Sequence, residues 1–386
     1  MAAGYIADIR KYQVNIMHVL HDGELGGVLE HVRQIVSYLR EMNHVVVLGG
    51  YGPSEDEFRS LGIRTVVVEL TGHQFQRGKI SHLRQLIREN DIDIVHGHQP
   101  RAYLRSRIAA GFEKVPHVST PHGSLLLESK AVEIAPLRLA YMRAREYVTS
   151  FLDHSTIAFS NVSRRELLWQ GIHRDKIVII PNGVDGQKFS PALWSDQNNT
   201  IEPKQDFIVG AVGRLCFQKG FDNLLRWFAD LPELNDAGQV NRLVLVGDGD
   251  MRTMLVELAS SLCISKRVSF LGERTDIPQL LAGFDIVALS SRFEGMPYTL
   301  LEAMSMKKPI IAIDLPIFQE MLEPGCGLIA TPEEFANELI RLINDETLRL
   351  TVAEAAGDRA VQEYEASVVM HRLAELYRRI TTQRRS

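Results

Sequence analysis

Two glutamates stand eight residues apart in the stretch FEGMPYTLLEAM, Phe293 to Met304, with a Gly-Met-Pro turn after the first. Proline is tolerated at a helix start and poorly inside one, so the stretch predicts a loop carrying Glu294. A helix then begins near Pro297 and carries Glu302 one turn in. Its first backbone N–H groups, around Tyr298 to Leu300, have no intrahelical partner, and such an end prefers an anion. Upstream, GRLCFQKG holds Arg214 and Lys219 five residues apart in a turn closed by Gly220. That spacing does not put two cations on one helical face, but in a turn at a strand end both can converge on one anion.

Each feature alone has an ordinary reading. A loop lysine is usually solvated, a strand-end arginine often pairs with a surface carboxylate, and a glutamate near a helix start complements the helix dipole. Together they describe a cradle for a diphosphate: two cations and a helix N-terminus on one rim. Glu302 is then placed to accept hydrogen bonds from vicinal hydroxyls, as acidic groups accept from ribose in dinucleotide-binding folds. Glu294 would face the other end of the ligand.

Further candidates lie in the first half. ELGGVLEH places Gly26 and Gly27 between a strand and a helix, a turn that lets backbone approach a ligand closely. It lacks the spacing of the dinucleotide fingerprint, and so does GDGDMR at 247–252, so neither is read as an NAD site. His96 and His98 in VHGHQ and His122 in STPHG fall at strand ends. A His-x-His pair can ligate zinc, but no third or fourth ligand is evident, so no metal is expected. His122, followed by Gly123, is the better functional candidate, placed to donate a hydrogen bond to a substrate hydroxyl or a leaving phosphate.

The elements that must position these groups alternate. Strands are expected at 14–20, 44–50, 64–70, 93–98, 116–122, 155–160 and 176–185, with helices such as 28–42 and 79–90 between them. Residues 190–206 are polar, hold two prolines and have no periodicity, which predicts a linker. Alternation resumes with strands at 207–215, 242–249, 268–272, 284–291 and 309–314, helices at 221–230, 251–262 and 298–306, and a tail helical throughout from about 333 to 380. Apolar strands alternating with helices argue for parallel sheets covered on both faces. The expected fold class is therefore α/β, with two Rossmann-like domains facing each other across a cleft. In such sheets ligands bind outside the carboxyl ends of the strands.

Composition fits this picture. The chain has 386 residues, enough for two domains, with 45% hydrophobic and 24% charged residues. A net charge of −5 implies no general affinity for nucleic acid. Three scattered cysteines, Cys216, Cys263 and Cys326, read as thiols in a reducing compartment. Charges at Asp8, Arg10 and Lys11 speak against a signal peptide, and no run approaches a membrane span, so a cytoplasmic protein is expected.

The segments GRLCFQKG, LVLVGDGDMR and FLGERTDIPQLLAGFDIVALSSRFEGMPYTLLEAMSMKKPIIAID, with ELGG, DIVHGH, STPHG and IPNGVD upstream, resemble glycosyltransferase family 4. These are retaining sugar-nucleotide transferases of GT-B fold, and the resemblance runs through nearly the whole chain in the family's order. It implies an N-terminal acceptor-side domain over 1–189, a donor-binding domain over 206–361, and a C-terminal helix from about 362 to 386 that packs back on the first domain.

It also implies roles. Arg214 and Lys219 resemble the cations on the donor diphosphate, Glu302 the ribose acceptor, Glu294 the carboxylate on the donor sugar, and His122 the histidine near the transferred sugar. Gly27 resembles the turn approaching donor phosphate or acceptor, and backbone around Arg274 is expected at the base. The implied donor-binding set is completed by Gly213, Gly295, Met296, Pro297, Tyr298, Thr299 and Leu300. Cys216 and Phe217 stand where more polar residues are usual, and Met296 and Tyr298 are bulkier or more polar than usual, which bears on sugar selectivity.

The implied reaction takes a nucleotide-diphosphate sugar, UDP before GDP, to a glycan or lipid-linked acceptor without cofactor or divalent metal. The basic amphipathic stretch 129–154 reads first as an ordinary domain helix and second as peripheral contact with the inner face of a membrane. Two other readings share the features: a sugar-nucleotide epimerase of the same fold, and a non-catalytic nucleotide-sugar-binding subunit.

Overall fold

Continuous runs such as VVVL at 45–48 and LVLV at 243–246 are apolar on both strand faces, and both are buried on both sides. The computed structural model describes residues 14–23, 26–70, 77–123, 134–194, 206–322 and 325–385. The first thirteen residues, most of the expected linker, and 129–133 of the basic stretch lie outside them.

Two compact units divide these residues: 14–183 with 367–385, and 184–366. The first holds a seven-stranded sheet of β1 (Asn15–Leu20), β2 (Asn43–Leu48), β3 (Arg64–Val67), β4 (Ile94–His98), β5 (His117–Thr120), β6 (Ser155–Ala158) and β7 (Ile177–Ile179). Its order is β3-β2-β1-β4-β5-β6-β7, and every pairing is parallel. The second holds β8 (Phe207–Val212), β9 (Asn241–Val246), β10 (Val268–Phe270), β11 (Ile286–Leu289), β12 (Ile310–Ile313) and β13 (Leu328–Ala330). Its order is β10-β9-β8-β11-β12-β13, again all parallel. Strand order reverses between β1 and β4 in one sheet and between β8 and β11 in the other. These are the crevices where doubly wound sheets bind ligands.

The last helix, Ala366–Arg385, belongs to the first unit. Val369, Met370, Leu373, Ala374, Leu376, Tyr377 and Ile380 share one buried cluster with Ile16 of β1, Ile94 of β4, Val118 of β5 and Ile157 of β6. The Tyr377 hydroxyl lies 2.6 Å from His96 Nδ1, which anchors the helix over the middle of the sheet.

A buried ion cluster ties the helix Pro136–Ser150 to the same sheet. Arg107 lies 2.7 Å from Glu146 and 2.9 Å from Asp153, and Asp153 also binds His117 at 2.6 Å. Burial alone would lower the Arg107 pKa, but Asp153 and Glu146 outweigh it and raise it. Arg107 and Glu146 are thereby fixed in the interior, while Leu137, Tyr141, Val148 and Phe151 are exposed at 83%, 57%, 63% and 64%.

Five points of the expected organisation are corrected. The division between units falls at 183/184, not after 189, because Val184 pairs with the backbone of Tyr364 and Ala366. The last helix likewise starts at Ala366 rather than near 362. Residues 191–194 of the expected linker form a helical turn, fixed by a hydrogen bond from Trp194 to the Lys188 carbonyl. The tail is three helices, Phe335–Asn344, Glu346–Glu363 and Ala366–Arg385, with Asp345 capping the second through the Leu348 N–H. Finally, β13 was missed, since three residues are too few to show a period.

Candidate functional site

The loop after β8 and the loop after β11 meet at the switch point of the second sheet. Gly213 opens the first, and a Cβ there would sit 3.0 Å from Lys219 Cε, so the missing side chain makes room for the lysine stem. Gly220 closes it in the left-handed region at φ 63°, where a Cβ would lie 2.2 Å from the Ser290 carbonyl oxygen. Only glycine fits both the conformation and the space.

The two loops are stitched together by polar contacts. The Ser290 hydroxyl donates to the Lys219 carbonyl at 2.9 Å. Arg292 donates to the Phe217 carbonyl at 2.8 Å, forks onto Asp222 at 2.9 and 2.7 Å, and lies over the Phe217 ring at 4.2 Å. Burial pushes the Asp222 carboxyl up, but the Arg292 hydrogen bonds and charge hold it below its ordinary value.

Glu294 sits inside this frame, 6% exposed. Lys219 Nζ donates to its Oε1 at 2.7 Å, Ser291 donates to the same oxygen at 2.7 Å, and Gln218 reaches Oε2 at 3.3 Å. Lys219 and Glu294 thus form an ion pair. An ammonium has three donors, so the pair leaves Lys219 N–H groups for an anion. Arg214, five residues earlier, is exposed, and no hydrogen bond or ion pair holds its guanidinium among the described residues.

The helix Tyr298–Ser305 follows, with Pro297 at its N-cap and no side chain capping it. Its start is less open than expected, because the Leu300 N–H donates to the Pro297 carbonyl at 3.2 Å. Met296 and Leu300 are buried at 5% and 0%, so their side chains pack in the core. Gly295, Tyr298, Thr299 and Glu302 are half-buried on this segment. Arg274 follows β10, two strands from β8 on the same carboxyl-end rim, and its side chain is engaged with Asp276 at 2.8 Å.

His122 and Gly27 belong to the other unit. Gly27 is the exposed first residue of the helix Gly27–Tyr38, which starts just after β1. His122 follows β5 with φ 62°, an uncommon backbone for a residue with a side chain, and is half-buried. Around it lie more histidines than the sequence pairs: His18, His31, His44, His96 and His98 are all at most 8% exposed. His18, His96 and His98 bring ring nitrogens within 4.8 Å of one another, as do His31, His98 and His122. This supplies the third histidine that spacing did not reveal, but these rings already meet hydrogen-bond partners. His98 Nδ1 lies 3.1 Å from His122 Nε2, His98 Nε2 lies 3.3 Å from His18 Nδ1, and His96 binds Tyr377 and Thr120. Burial lowers the pKa of His18, His31, His44, His96, His98 and His122, that of His31 to about 4.

Sequence reasoning thus brought Gly213, Arg214, Lys219, Glu294 and the 295–302 segment to one rim, and missed Gln218, Ser291, Arg292 and Asp222. The dense polar run SSRFEG was a signal for the first loop partners. Nothing local marked Asp222, which is 70 residues from Arg292.

Comparison with known proteins agrees with this architecture. The family model described as Glycosyltransferase Family 4 matches residues 25–188, and that of Glycosyl transferases group 1 matches 194–359. A UDP-Gal:alpha-D-GlcNAc-diphosphoundecaprenol alpha-1,3-galactosyltransferase of Escherichia coli is 28% identical over 84% of each chain. A phosphatidyl-myo-inositol mannosyltransferase of Mycobacterium tuberculosis is 28% identical over 91% of this chain and 93% of its own. Among solved structures, Anabaena HepE in complex with UDP and glucose superposes with a TM-score of 0.81. It is 24% identical, with 94% of this chain and 99% of that one covered. The sucrose-phosphate synthase of Thermosynechococcus elongatus gives 0.78 at 17% identity, covering 96% and 100%. The fold is GT-B. With both halves matched in order and the charged rim in place, the chain belongs to glycosyltransferase family 4, among the group 1 glycosyl transferases.

Proposed function

We propose that this chain is a retaining hexosyltransferase that moves a sugar from a nucleotide-diphosphate donor, UDP before GDP, to a hydroxyl of a glycan, glycolipid or lipid-linked acceptor. The observation that carries this reading is the charged rim at the β8/β11 switch. There Arg214 stands without a partner among the described residues, and Lys219 keeps spare donors beside an uncapped helix N-terminus. The printed names of the relatives support the donor and acceptor classes, since one takes UDP-galactose to a diphosphoundecaprenol-linked sugar and the other mannosylates phosphatidylinositol.

In the proposed reaction the bond from the sugar C1 to the diphosphate oxygen breaks through an oxocarbenium-like state. Its electron pair leaves with the diphosphate. Arg214, Lys219 and the helix N-terminus stabilise that growing charge, and preorganised electrostatics of this kind are commonly the largest catalytic contribution. The acceptor oxygen bonds to C1 on the face the diphosphate leaves, and its proton passes to the departing phosphate. Glu294, held by Lys219, Ser291 and Gln218, is oriented to accept hydrogen bonds from the donor sugar, and Glu302 from the ribose. Two cations, Lys219 held by Glu294 and the exposed Arg214, do the charge compensation that a divalent metal would otherwise supply, so activity needs no metal.

The helix Pro136–Ser150 supports a place on the inner face of a membrane, where lipid-linked acceptors are met from the cytoplasm. Its exposed Leu137, Tyr141 and Val148 are interspersed with Arg138, Arg143 and Arg145, the composition of a surface helix for anionic lipid. The reading is tested by incubating the protein with UDP-, GDP- and ADP-sugars and measuring nucleotide diphosphate release, with and without EDTA. Slow, EDTA-insensitive release from one donor is expected. Formation of an epimeric nucleotide sugar would replace the transferase by an epimerase, and tight binding without release under any acceptor supply would leave only a binding role.

A further inference from the structure

Four histidines of the first unit lie in line. His44 Nε2 is 2.9 Å from the Leu39 carbonyl oxygen, and His44 Nδ1 is 3.1 Å from His18 Nε2. His18 Nδ1 is 3.3 Å from His98 Nε2, and His98 Nδ1 is 3.1 Å from His122 Nε2. A neutral imidazole carries one N–H and one bare nitrogen, and a carbonyl oxygen only accepts. The Leu39 carbonyl therefore fixes the His44 proton on Nε2, which leaves Nδ1 bare. His18 must then donate from Nε2, and the same step repeats at His98 and at His122. Each link has one allowed direction once the first is set.

We propose that His44, His18 and His98 are positioning residues that hold His122 in the Nε2–H tautomer, so that His122 presents a bare Nδ1 to its ligand. The ligand group facing it is then a hydroxyl that donates, as on a sugar, and not a phosphate oxygen, whose lone pairs the bare nitrogen would repel. This reverses the donor role expected for His122 from its strand-end position. The chain stays neutral and directional because burial depresses the pKa of all four rings. His31 adds to it. Its Nδ1 meets the Asn182 side-chain oxygen at 3.1 Å, its buried Nε2 has no partner among the described residues, and its ring stands 4.9 Å from that of His122. Two bare imidazole nitrogens in one neighbourhood suit a polyhydroxyl ligand.

His96 is outside the relay, bonded to Tyr377 and Thr120, so it does not compete for the chain. The other groups facing the relay are the Glu41 carboxylate near His44, itself paired with Arg378 at 3.1 Å, the Phe159 ring against His122 and His31, and the neutral His96 ring 4.1 Å from His98. A tautomer set through a hydrogen bond on the far ring nitrogen is the general way proteins assign the role of a histidine.

The link to sugar transfer rests on the proposed function, but the tautomer can be read without any turnover. The full chain labelled with 15N-histidine is examined by long-range 1H–15N correlation at neutral pH, with His122→Asn assigning the terminal ring. The expected spectrum shows His44, His18, His98 and His122 all protonated at Nε2. A protonated Nδ1 at His122, or an imidazolium there, overturns the proposal. Two variants then break and restore the anchor. His44→Gln can donate its amide to the Leu39 carbonyl and accept from His18, so the pattern and kcat should stay within about twofold of the parent. His44→Phe cannot, and is expected to mix the His98 and His122 tautomers and lower kcat about tenfold with a smaller change in KM, a tenfold fall being about 1.4 kcal/mol in barrier. An unchanged His122 spectrum in His44→Phe that is still folded sinks the relay. If the spectra behave as expected but no sugar nucleotide is consumed, the relay stands and the transferase reading falls.

Discussion

Lys219 and Glu294 are separated by 75 residues, yet they form an ion pair at the charged rim, and the two ends of that pair answer differently to mutation. Removing the lysine strands a carboxylate that is 7% exposed at its side chain, whereas Glu294→Gln keeps the shape and the two bonds at Oε1 while removing one charge and the acceptor for Gln218. Lys219→Ala is expected to lower unfolding free energy by about 2 kcal/mol, below the cost of breaking a fully buried pair because the lysine is partly solvated. The double change Lys219→Ala with Glu294→Ala should recover part of that loss, which urea titration of all three proteins would show. Glu294→Gln should fold as the parent does and lose at least about 100-fold in turnover, a transition-state effect of about 2.7 kcal/mol. Equal thermal stability of Lys219→Ala and the parent would remove the pair from the structure's supports. At this scale the sequence made the types of these residues legible, since a cation, a helix start and two carboxylates each carry a local signal. It did not make their partnership legible, because a hydrogen bond between residues 219 and 294 depends on which two strands become neighbours.

Elements decide whether those residues meet, and Gly220 is where that is most exposed to a single change. Gly220→Ala would force a Cβ to 2.2 Å from the Ser290 carbonyl at a left-handed φ of 63°. The loops after β8 and β11 would have to part, so donor affinity should fall at least about tenfold and stability by about 2 kcal/mol. Isothermal titration with the nucleotide diphosphate measures the first and urea titration the second, and a variant that binds as the parent does refutes the stitched-loop account. The helix Pro136–Ser150 makes the second prediction at this scale. Leu137→Glu with Val148→Glu touches only exposed positions and leaves the Arg107–Glu146 anchor alone, so the fold should hold. Co-sedimentation with anionic phosphatidylglycerol vesicles should drop several-fold against the parent and should weaken with salt. Parent protein that stays in the supernatant would end the membrane reading. Strands here announced themselves by uninterrupted aliphatic runs, and the helices by their period, which is why most were legible. Short pieces were not: β13 has three residues, and the break at Asp345 is made by a cap that only the helix itself reveals.

Over the whole molecule, titration is lopsided. All thirteen histidines fall before residue 174 or at 371, so the second unit, residues 184–366, contains none. Nine of those in the first unit, His18, His21, His31, His44, His96, His98, His117, His122 and His154, have pKa values lowered by burial. Above about pH 6.5 these rings are neutral in both the folded and unfolded chain and contribute no pH dependence. Below it the unfolded chain takes up protons that the native state refuses, so stability falls as pH falls, for His31 down to about 4. That residue alone accounts for about 3 kcal/mol over the window. Urea unfolding at pH 7.5, 6.0 and 5.0 should therefore show the first unit's transition moving to lower urea while the second unit's moves far less, and two transitions that move together would contradict it. The α/β class was legible at this scale from alternation alone. The exact division was not, because it is set by backbone pairing of Val184 with Tyr364 and Ala366 across some 180 residues of chain. The helix Ala366–Arg385 carries a consequence for biosynthesis. Its Leu373, Tyr377 and Ile380 complete the core of β1, β4 and β5, yet they follow the whole of the second unit in the chain. The first unit to be translated is thus the last able to close, its sheet waiting uncovered while the second unit is made and folds. A chain cut short by premature termination then keeps an open apolar face, a mark by which chaperones and proteases can tell a finished molecule from an unfinished one.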